Sequence, residues 1–274
     1  MKGLPQNPGE GSRRRLGALV VTGGKGKAPV VTLRILATSD LHANLMAWDY
    51  HANRIAPQRG LARLASLIAA ARAEQPQSLL FDNGDFLHGT ALGDFMAETQ
   101  PQGPGRRPFL HPVIAAMNLL RYDAAALGNH EFSQGVGFLR RSLPGARFPV
   151  VCSNLIFKPS RGQPLALPSL ILRRQVVDSR GGSHALKIGV IGFLPPQTMV
   201  WERRYLRGRA SVDDIVASAR LMIPDLRAAG ADLIVALSHS GIGDVNSTAG
   251  AENASSALAQ LEGIDVVVAG HTHL

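Results

Sequence analysis

Short apolar runs, each broken off by a polar cluster, recur along this chain. Thr32–His42 (TLRILATSDLH) reads as a buried strand through Leu33, Ile35 and Leu36 that stops in Asp-x-His. Ser78–Phe81 runs into Asp82-Asn83-Gly84-Asp85, and Ala124–Leu127 into Gly128-Asn129-His130-Glu131. Asp232–Leu237 ends in Ser238-His239, and Asp265–Ala269 in Gly270-His271-Thr272-His273. Phe148–Val151 is a further strand, and Ser179–Ser183 (SRGGS) reads as a hairpin turn joining Ile171–Val177 to Ala185–Ile191. Gly60–Glu74 sets Leu61, Leu64, Leu67, Ile68 and Ala71 at the spacing of one helical face, with Pro76 ending it. His111–Leu120 is expected as a helix with Pro112 in its first turn. Val212–Ala229 is expected as another, with Ser211 as N-cap, a kink at Pro224 and Gly230 as its stop. Ala251–Leu261 is the last helix, and Leu41–Arg59 and Phe86–Pro108 are expected as loops.

Strands thus alternate with helices, and runs such as LIVAL and VVVA are apolar almost throughout. Such strands belong to largely parallel or mixed sheets buried under helices, the α/β class. In those sheets ligands sit beyond the carboxyl ends of the strands. Each polar cluster named above falls at such an end.

Composition narrows the reading. The 274 residues, 45% hydrophobic and 18% charged, suit one large globular α/β domain better than a disordered chain. The net charge of +9 is uneven: Lys2, Arg13, Arg14, Arg15, Lys25 and Lys27 face only Glu10 before Val31. Residues 1–30 therefore read as a disordered basic leader and residues 31–274 as the folded unit. Aromatic residues are few and do not interleave with basic ones, so no nucleic-acid partner is expected. Cys152 stands alone, which rules out an intrachain disulfide and leaves a buried, inert thiol. No apolar run approaches the roughly 20 residues of a membrane helix, so no membrane partner is expected. Arg13–Arg15 before Leu16–Val21 faintly resembles a secretion signal, but Gly23-Gly24 and Lys25 interrupt it.

The clusters together carry chemistry. Asp40 and His42 are two apart at a strand end, so period-two geometry leans them the same way. Two neighbouring divalent cations need on the order of seven or eight oxygen and nitrogen ligands, with one carboxylate shared. Asp40, His42, Asp85, Asn129, His239, His271 and His273 supply that set. The lack of cysteine in this set fits an open hydrolytic site, since closed structural zinc sites favour thiolates. Gly84, Gly128 and Gly270 are expected to let the backbone turn sharply before each ligand. Each motif alone has a bland explanation: a capping Asp, an Asn-His-Glu turn, a loop histidine. Their joint occurrence, each behind its own strand, argues against accident. His51, His88, His111 and His184 lack that placement and read as ordinary histidines. The donor set suits zinc, manganese, iron and cobalt alike.

The ordered pattern D-x-H, G-D, G-N-H-E, H and G-H-x-H resembles the calcineurin-like metallophosphoesterase superfamily. More narrowly, GNHEFSQGVGFL, IGFLPPQTMVW, DDIVASA and HSGI followed by AENASSALAQLEGID are similar to the bacterial 2′,3′-cyclic-nucleotide 2′-phosphodiesterase/3′-nucleotidases, relatives of the 5′-nucleotidases. The likeness runs from about Thr32 to the last residue. It implies a four-layer αββα catalytic domain holding two divalent metal ions. Asp40, His42 and His273 would hold one; Asn129, His239 and His271 the other, with Asp85 shared. His130 would reach the phosphoryl group, stabilising its charge or protonating the leaving oxygen. Glu131 would support the ligands from behind. The implied substrate is a nucleotide or other phosphate ester, and the implied location periplasmic, with a cytoplasmic one left open by the weak leader. Oligomeric state is not legible.

Two departures bear on the activity. The 5′-nucleotidases carry an Asp three residues after the catalytic His, where this chain has Ser133. A hydroxyl can orient His130 but cannot raise its pKa as a carboxylate would, which disfavours a 5′-nucleotidase-like acid mechanism. These enzymes also carry a C-terminal domain whose aromatic residues sandwich the nucleobase. This chain stops one residue after His273, so that base-binding domain is expected to be missing. The leading expectation is hydrolysis of 2′,3′-cyclic nucleotides to 3′-nucleotides and then nucleosides. The alternatives are a 5′-nucleotidase-like or generalist metallophosphoesterase, or an inactive truncated remnant that neither binds metal nor melts cooperatively.

Overall fold

The computed structural model of the chain describes residues 28–50, 52–100, 110–158 and 164–273. The expected leader lies outside the described residues up to residue 27. In chain order the elements are β1 (Arg34–Thr38), β2 (Trp48–Asp49), β3 (Arg54–Ile55), α1 (Leu61–Glu74), β4 (Ser78–Asp82), α2 (Ala91–Thr99), α3 (Pro112–Leu119) and β5 (Ala124–Ala126). There follow α4 (Gly135–Ser142), β6 (Val150–Val151), β7 (Leu155–Phe157), β8 (Leu170–Val177), β9 (Ser183–Phe193), α5 (Thr198–Trp201) and α6 (Arg203–Leu206). The last are β10 (Ala210–Val212), α7 (Ile215–Ala228), β11 (Leu233–Ser238), α8 (Ser255–Ala259) and β12 (Val266–Ala269).

Two four-stranded sheets result. The first, ordered β1-β4-β5-β6, is parallel throughout. The second, ordered β12-β11-β9-β8, is mixed: β11 runs parallel to β9 and β12, while β8 is antiparallel to β9 across the expected hairpin. Strand alternation sorts the apolar side chains into layers. Leu79 and Phe81 of β4, Ala124 and Ala126 of β5, Ile188 and Val190 of β9, and Val235 and Leu237 of β11 fill the space between the sheets. Leu36, Leu80, Ala125 and Val150 face the other way, against Leu61 and Ile68 of α1 and Val113, Ile114 and Met117 of α3. On the opposite side Ile191, Phe193, Ile234 and Ala236 pack on Ile215, Ala219, Ile223 and Leu226 of α7. The order is helix, sheet, sheet, helix, as the resemblance implied. Burying a side chain such as Phe81 contributes roughly 1.5–3 kcal/mol.

Several boundaries differ from expectation. Ala91–Thr99, inside the expected loop Phe86–Pro108, is helix α2; it buries only Gly93, so no apolar stripe marked it. The run after Glu131 was not expected as helix, yet α4 forms there with Val136, Phe138 and Leu139 inward. Asp214, not Ser211, caps α7: its Oδ1 accepts from Ala217 N–H at 2.7 Å, while Ser211 is paired with Ile156 in a small ribbon. Helix α7 continues through Pro224. The helix expected over Ala251–Leu261 is confined to Ser255–Ala259. Cys152 is buried, and burial pushes its thiol up to about 12, as expected of an inert group. No helix among the described residues is long and apolar enough to cross a membrane.

Candidate metal centre

The carboxyl ends of strands from both sheets meet at one end of the sandwich. Beyond β1, β4 and β5 lie Asp40 and His42, then Asp85, then Asn129 and His130; beyond β11 and β12 lie His239, His271 and His273. Backbone bonds lace the first two loops together: Asp40 N–H donates to Gly84 O at 3.0 Å, His42 N–H to Asp85 O at 2.7 Å and Ala43 N–H to Phe86 O at 3.1 Å. Asn83 stitches the sheets across the seam. Its Nδ2 donates to Ser238 O at 2.9 Å, and its own carbonyl accepts from His239 Nδ1 at 2.8 Å.

The loops are tightly folded. Asp40, His42, Asp85, His271 and His273 have φ of 55°, 48°, 59°, 73° and 56°, a left-handed conformation that non-glycine residues seldom adopt. Strand periodicity therefore does not aim Asp40 and His42, because β1 has already ended at Thr38. They converge through the loop's own turn. Gly84 does turn sharply, with φ of 97°. Gly128 and Gly270 are needed for space instead: a Cβ on Gly128 would meet Asp85 Oδ1, and one on Gly270 would meet Ser39 Oγ and lie 2.7 Å from Asn83 Nδ2.

The donor atoms form two overlapping triads, Asp40–His42–His273 and Asp40–Asp85–His239, each within 4.8 Å. His42 Nε2 and His273 Nε2 are 3.0 Å apart, and Asp40 Oδ1 is 3.3 Å from His273 Nε2. His239 Nε2 is 3.0 Å from Asp85 Oδ2. His42 Nδ1 donates to the His88 carbonyl at 2.9 Å, and His239 Nδ1 is likewise bound to Asn83 O, so both rings turn Nε2 inward. Asn129 offers an amide oxygen rather than a carboxylate or imidazole, and His271 stands outside both triads. His271 Nε2 faces Glu252 Oε1 at 3.0 Å, and its ring stacks on Trp201 at 5.3 Å, which leaves Nδ1 as its available donor atom.

Whether these residues suit cations can be judged from unmet valence. Asp40 Oδ1 and Asn129 Oδ1 are buried without a hydrogen-bond partner, and His239 Nε2 has only its ion pair with Asp85. Buried polar atoms are nearly always satisfied, so two such atoms within one proposed ligand set fit bound cations. Burial raises the Asp85 carboxyl and lowers His239, but their contact reverses both. Asp85 is held below the usual carboxylate range and His239 above the usual imidazole range. A cation at His239 Nε2 would take that proton's place.

Glu131 accepts four backbone N–H bonds, from Asp85 at 2.7 Å, Phe86 at 2.8 Å, Leu87 at 3.1 Å and Gly128 at 2.6 Å. Burial and then the Asp85 charge push its pKa up, and these donors pull it down. The side chain thus fastens the loop carrying Asp85 to the loop carrying Asn129. His130 N–H donates to Asp85 Oδ1 at 2.7 Å, and its ring lies 5.3 Å from that of His42. His130 Nδ1 is 3.0 Å from Ser133 Oγ, which donates to Glu202 Oε1 at 2.6 Å.

Asn83, Glu202, Glu252 and Trp201 carry no site signal of their own in the sequence, and the fold brings them here. His88, read as ordinary, borders the site through its carbonyl and a ring 5.9 Å from His130. His111 caps α3 and His184 pairs with Asp178 at 2.6 Å, both structural as expected, while His51 lies outside the described residues. Asp82, beside the singled-out Gly84-Asp85, accepts from Thr38 Oγ1 at 2.6 Å and Gly84 N–H at 2.9 Å. Its burial pushes the carboxyl up to about 7.

Known proteins bear out the family resemblance. The chain is 43% identical over 255 residues to the 2′,3′-cyclic-nucleotide 2′-phosphodiesterase/3′-nucleotidase of Yersinia enterocolitica, covering 93% of this chain and 38% of that protein. It is 43% identical over 247 residues to the trifunctional nucleotide phosphoesterase protein YfkN of Bacillus subtilis, covering 90% of this chain and 17% of that protein. The crystal structure of calcineurin-like phosphoesterase YfkN from Bacillus subtilis superposes with a TM-score of 0.82 at 41% identity, covering 89% of this chain and 73% of that one. The chain thus spans well under half the length of the curated relatives it matches. The profile of the family described as calcineurin-like phosphoesterase matches residues 33–274. With that match across the whole sandwich, the chain belongs to the calcineurin-like phosphoesterase family.

Proposed function

We propose that this chain is a di-metal phosphoesterase that opens 2′,3′-cyclic nucleotides to 3′-nucleotides and then removes the remaining phosphate. The observation that carries the reading is the pair of unsatisfied buried oxygens, Asp40 Oδ1 and Asn129 Oδ1, within a set of oxygen and nitrogen donors that includes His239 Nε2. Asp40, His42 and His273 would hold one ion, Asn129, His239 and His271 the other, and Asp85 both. Divalent ions there supply Lewis-acid charge and make a water acidic enough to attack phosphorus at neutral pH. The remaining work falls to the chain itself. His42 and His239 each hold Nδ1 on a backbone carbonyl, which leaves Nε2 facing the other donors. His130 has Nδ1 engaged by Ser133, which leaves Nε2 to meet a phosphoryl or leaving oxygen. Glu131 keeps the loops of Asp85 and Asn129 at a fixed spacing.

The 43% identity to the Yersinia enterocolitica protein supports the nucleotide substrate. Turnover of 2′,3′-cyclic AMP is compared with that of a baseless aryl phosphodiester. Selective hydrolysis of the cyclic nucleotide is expected; equal turnover would favour the generalist reading. Asp85→Asn and His130→Ala are both expected to abolish turnover while the folded circular-dichroism spectrum persists. Full activity in either variant would refute the site.

A further inference from the structure

We propose that Glu202 is a positioning residue for His130, acting through the Ser133 hydroxyl to keep a ring hydrogen on Nδ1 and leave Nε2, facing the phosphoryl group, as the atom through which a proton is taken up and given to the leaving oxygen. The functional half of this inference rests on the role given to His130 above; the tautomer half does not. A serine hydroxyl has one proton to give and lone pairs to accept with, whereas a carboxylate only accepts. Ser133 Oγ lies 2.6 Å from Glu202 Oε1 and 3.0 Å from His130 Nδ1. Its proton therefore goes to Glu202, and toward His130 the oxygen can only accept. Nδ1 must then carry the hydrogen. A neutral imidazole carries just one, so Nε2 keeps its lone pair.

Each part of the relay is held independently. Ser133 ends the short turn Asn129–Phe132, and its N–H donates to His130 O at 3.2 Å. Glu202 sits at the junction of α5 and α6, with its N–H donating to Thr198 O at 2.9 Å and its side chain buried. The carboxylate is thus anchored by backbone rather than carried on a free arm. Position 133 alone promised only a hydroxyl for His130. Glu202, 69 residues further on, brings the carboxylate that position lacks. Without Glu202 the hydroxyl is free to rotate and donate to Nδ1, and the tautomer is free to invert.

The test uses the full chain labelled with 15N-histidine, first without metal. The ring signals of His130 are assigned by their loss in His130→Gln. The wild type is expected to show the Nδ1–H tautomer, and Glu202→Ala and Ser133→Ala a shift toward Nε2–H, the form an unconstrained imidazole favours. Glu202→Gln keeps an acceptor oxygen and is expected to retain Nδ1–H. With metal, either alanine variant is expected to lose about 10–100-fold in kcat for an aryl phosphodiester, with KM nearly unchanged. The double variant should be no worse than the single ones, because the two residues act as a unit. Ser133→Asp in the Glu202→Ala background should restore both the tautomer and most of kcat. Should Glu202→Ala not fold, Glu202→Leu, which fills the same space without an acceptor oxygen, takes its place. An unchanged tautomer in the folded variants would overturn the proposal, even if their melting temperature fell. A tautomer shift in a chain that turns over no phosphate ester would uphold the positioning and refute the catalytic reading instead.

Discussion

Glu131→Gln replaces one oxygen of a carboxylate by an NH2 group and changes little else. In the wild type Oε1 accepts from Phe86 and Leu87 and Oε2 from Asp85 and Gly128. Whichever way the amide is oriented, two backbone N–H groups lose their acceptor and face a donor. Leaving a buried donor unsatisfied costs about 1–3 kcal/mol, so the substitution should cost about 2–6 kcal/mol. Against a total of about 5–15 kcal/mol that is a large share. Urea denaturation of metal-free protein reads it directly, as a lower midpoint at unchanged slope. The control is Glu74→Gln on the surface, where the carboxylate is 69% exposed and pairs with Arg34 at 2.9 Å. Solvent screening limits that pair to within about 1 kcal/mol. If Glu131→Gln falls no further than Glu74→Gln, the carboxylate is not what holds the two loops together, and the account of the site's rigidity fails.

Two further outcomes can be measured on the same protein. Zinc, manganese, iron(II) or cobalt, added at about a hundred times its dissociation constant, should stabilise chelator-treated protein by about 2.7 kcal/mol, and Asp85→Asn should abolish most of the gain. A melting temperature indifferent to all four would count against the cation site. The second outcome concerns His111, whose Nδ1 accepts from Val113 N–H as the cap of α3 and whose pKa burial lowers to about 4. Its folded-state value lies below the unfolded value, so its contribution is whole above pH about 6.5 and is lost as pH falls through about 4. That difference is worth roughly 3 kcal/mol. His111→Asn keeps a capping oxygen and should flatten stability across this window; a slope unchanged from wild type would refute it.

What was legible in the sequence follows from how local each signal is. The strands were readable because β4, β9 and β11 are apolar on both faces, one face toward the other sheet and one toward helices. The proposed ligand residues were readable because each lies only a few residues beyond the end of β1, β4, β5, β11 or β12. Helix α2 was not, since a mostly exposed helix carries no stripe. The cap of α7 was misplaced because Ser211 and Asp214 are both good cap residues, and only the pairing of Ser211 with Ile156 removes one of them. Glu202, Glu252 and Asn83 act on residues 69, 19 and 156 positions away, and nothing in their own neighbourhood announces such contacts. The glycines show the same divide. Position was correctly read at Gly84, Gly128 and Gly270, but only three-dimensional structure separates a turn from a close approach.

The placement of the site explains why so many of its residues are conformationally strained. Its proposed ligands come from two sheets whose outward-facing cores are separate and meet only through the layer between them. A loop leaving either sheet in an extended conformation would carry its side chain past the seam. The left-handed turns at Asp40, His42, Asp85, His271 and His273 fold the loops back over it. Each such turn costs about 1–2 kcal/mol for an L-residue. The backbone bonds from Asp40, His42 and Ala43, the Glu131 carboxylate and the Asn83 stitch offset that strain in the metal-free chain. Ions held by ligands from both sheets would close the same seam from the inside. Metal binding and resistance to sheet separation are then one quantity measured two ways. Hydrogen exchange at Asp85 and His239, on opposite sides of the seam, should therefore slow together when metal is added, and protection of one without the other would contradict the coupling.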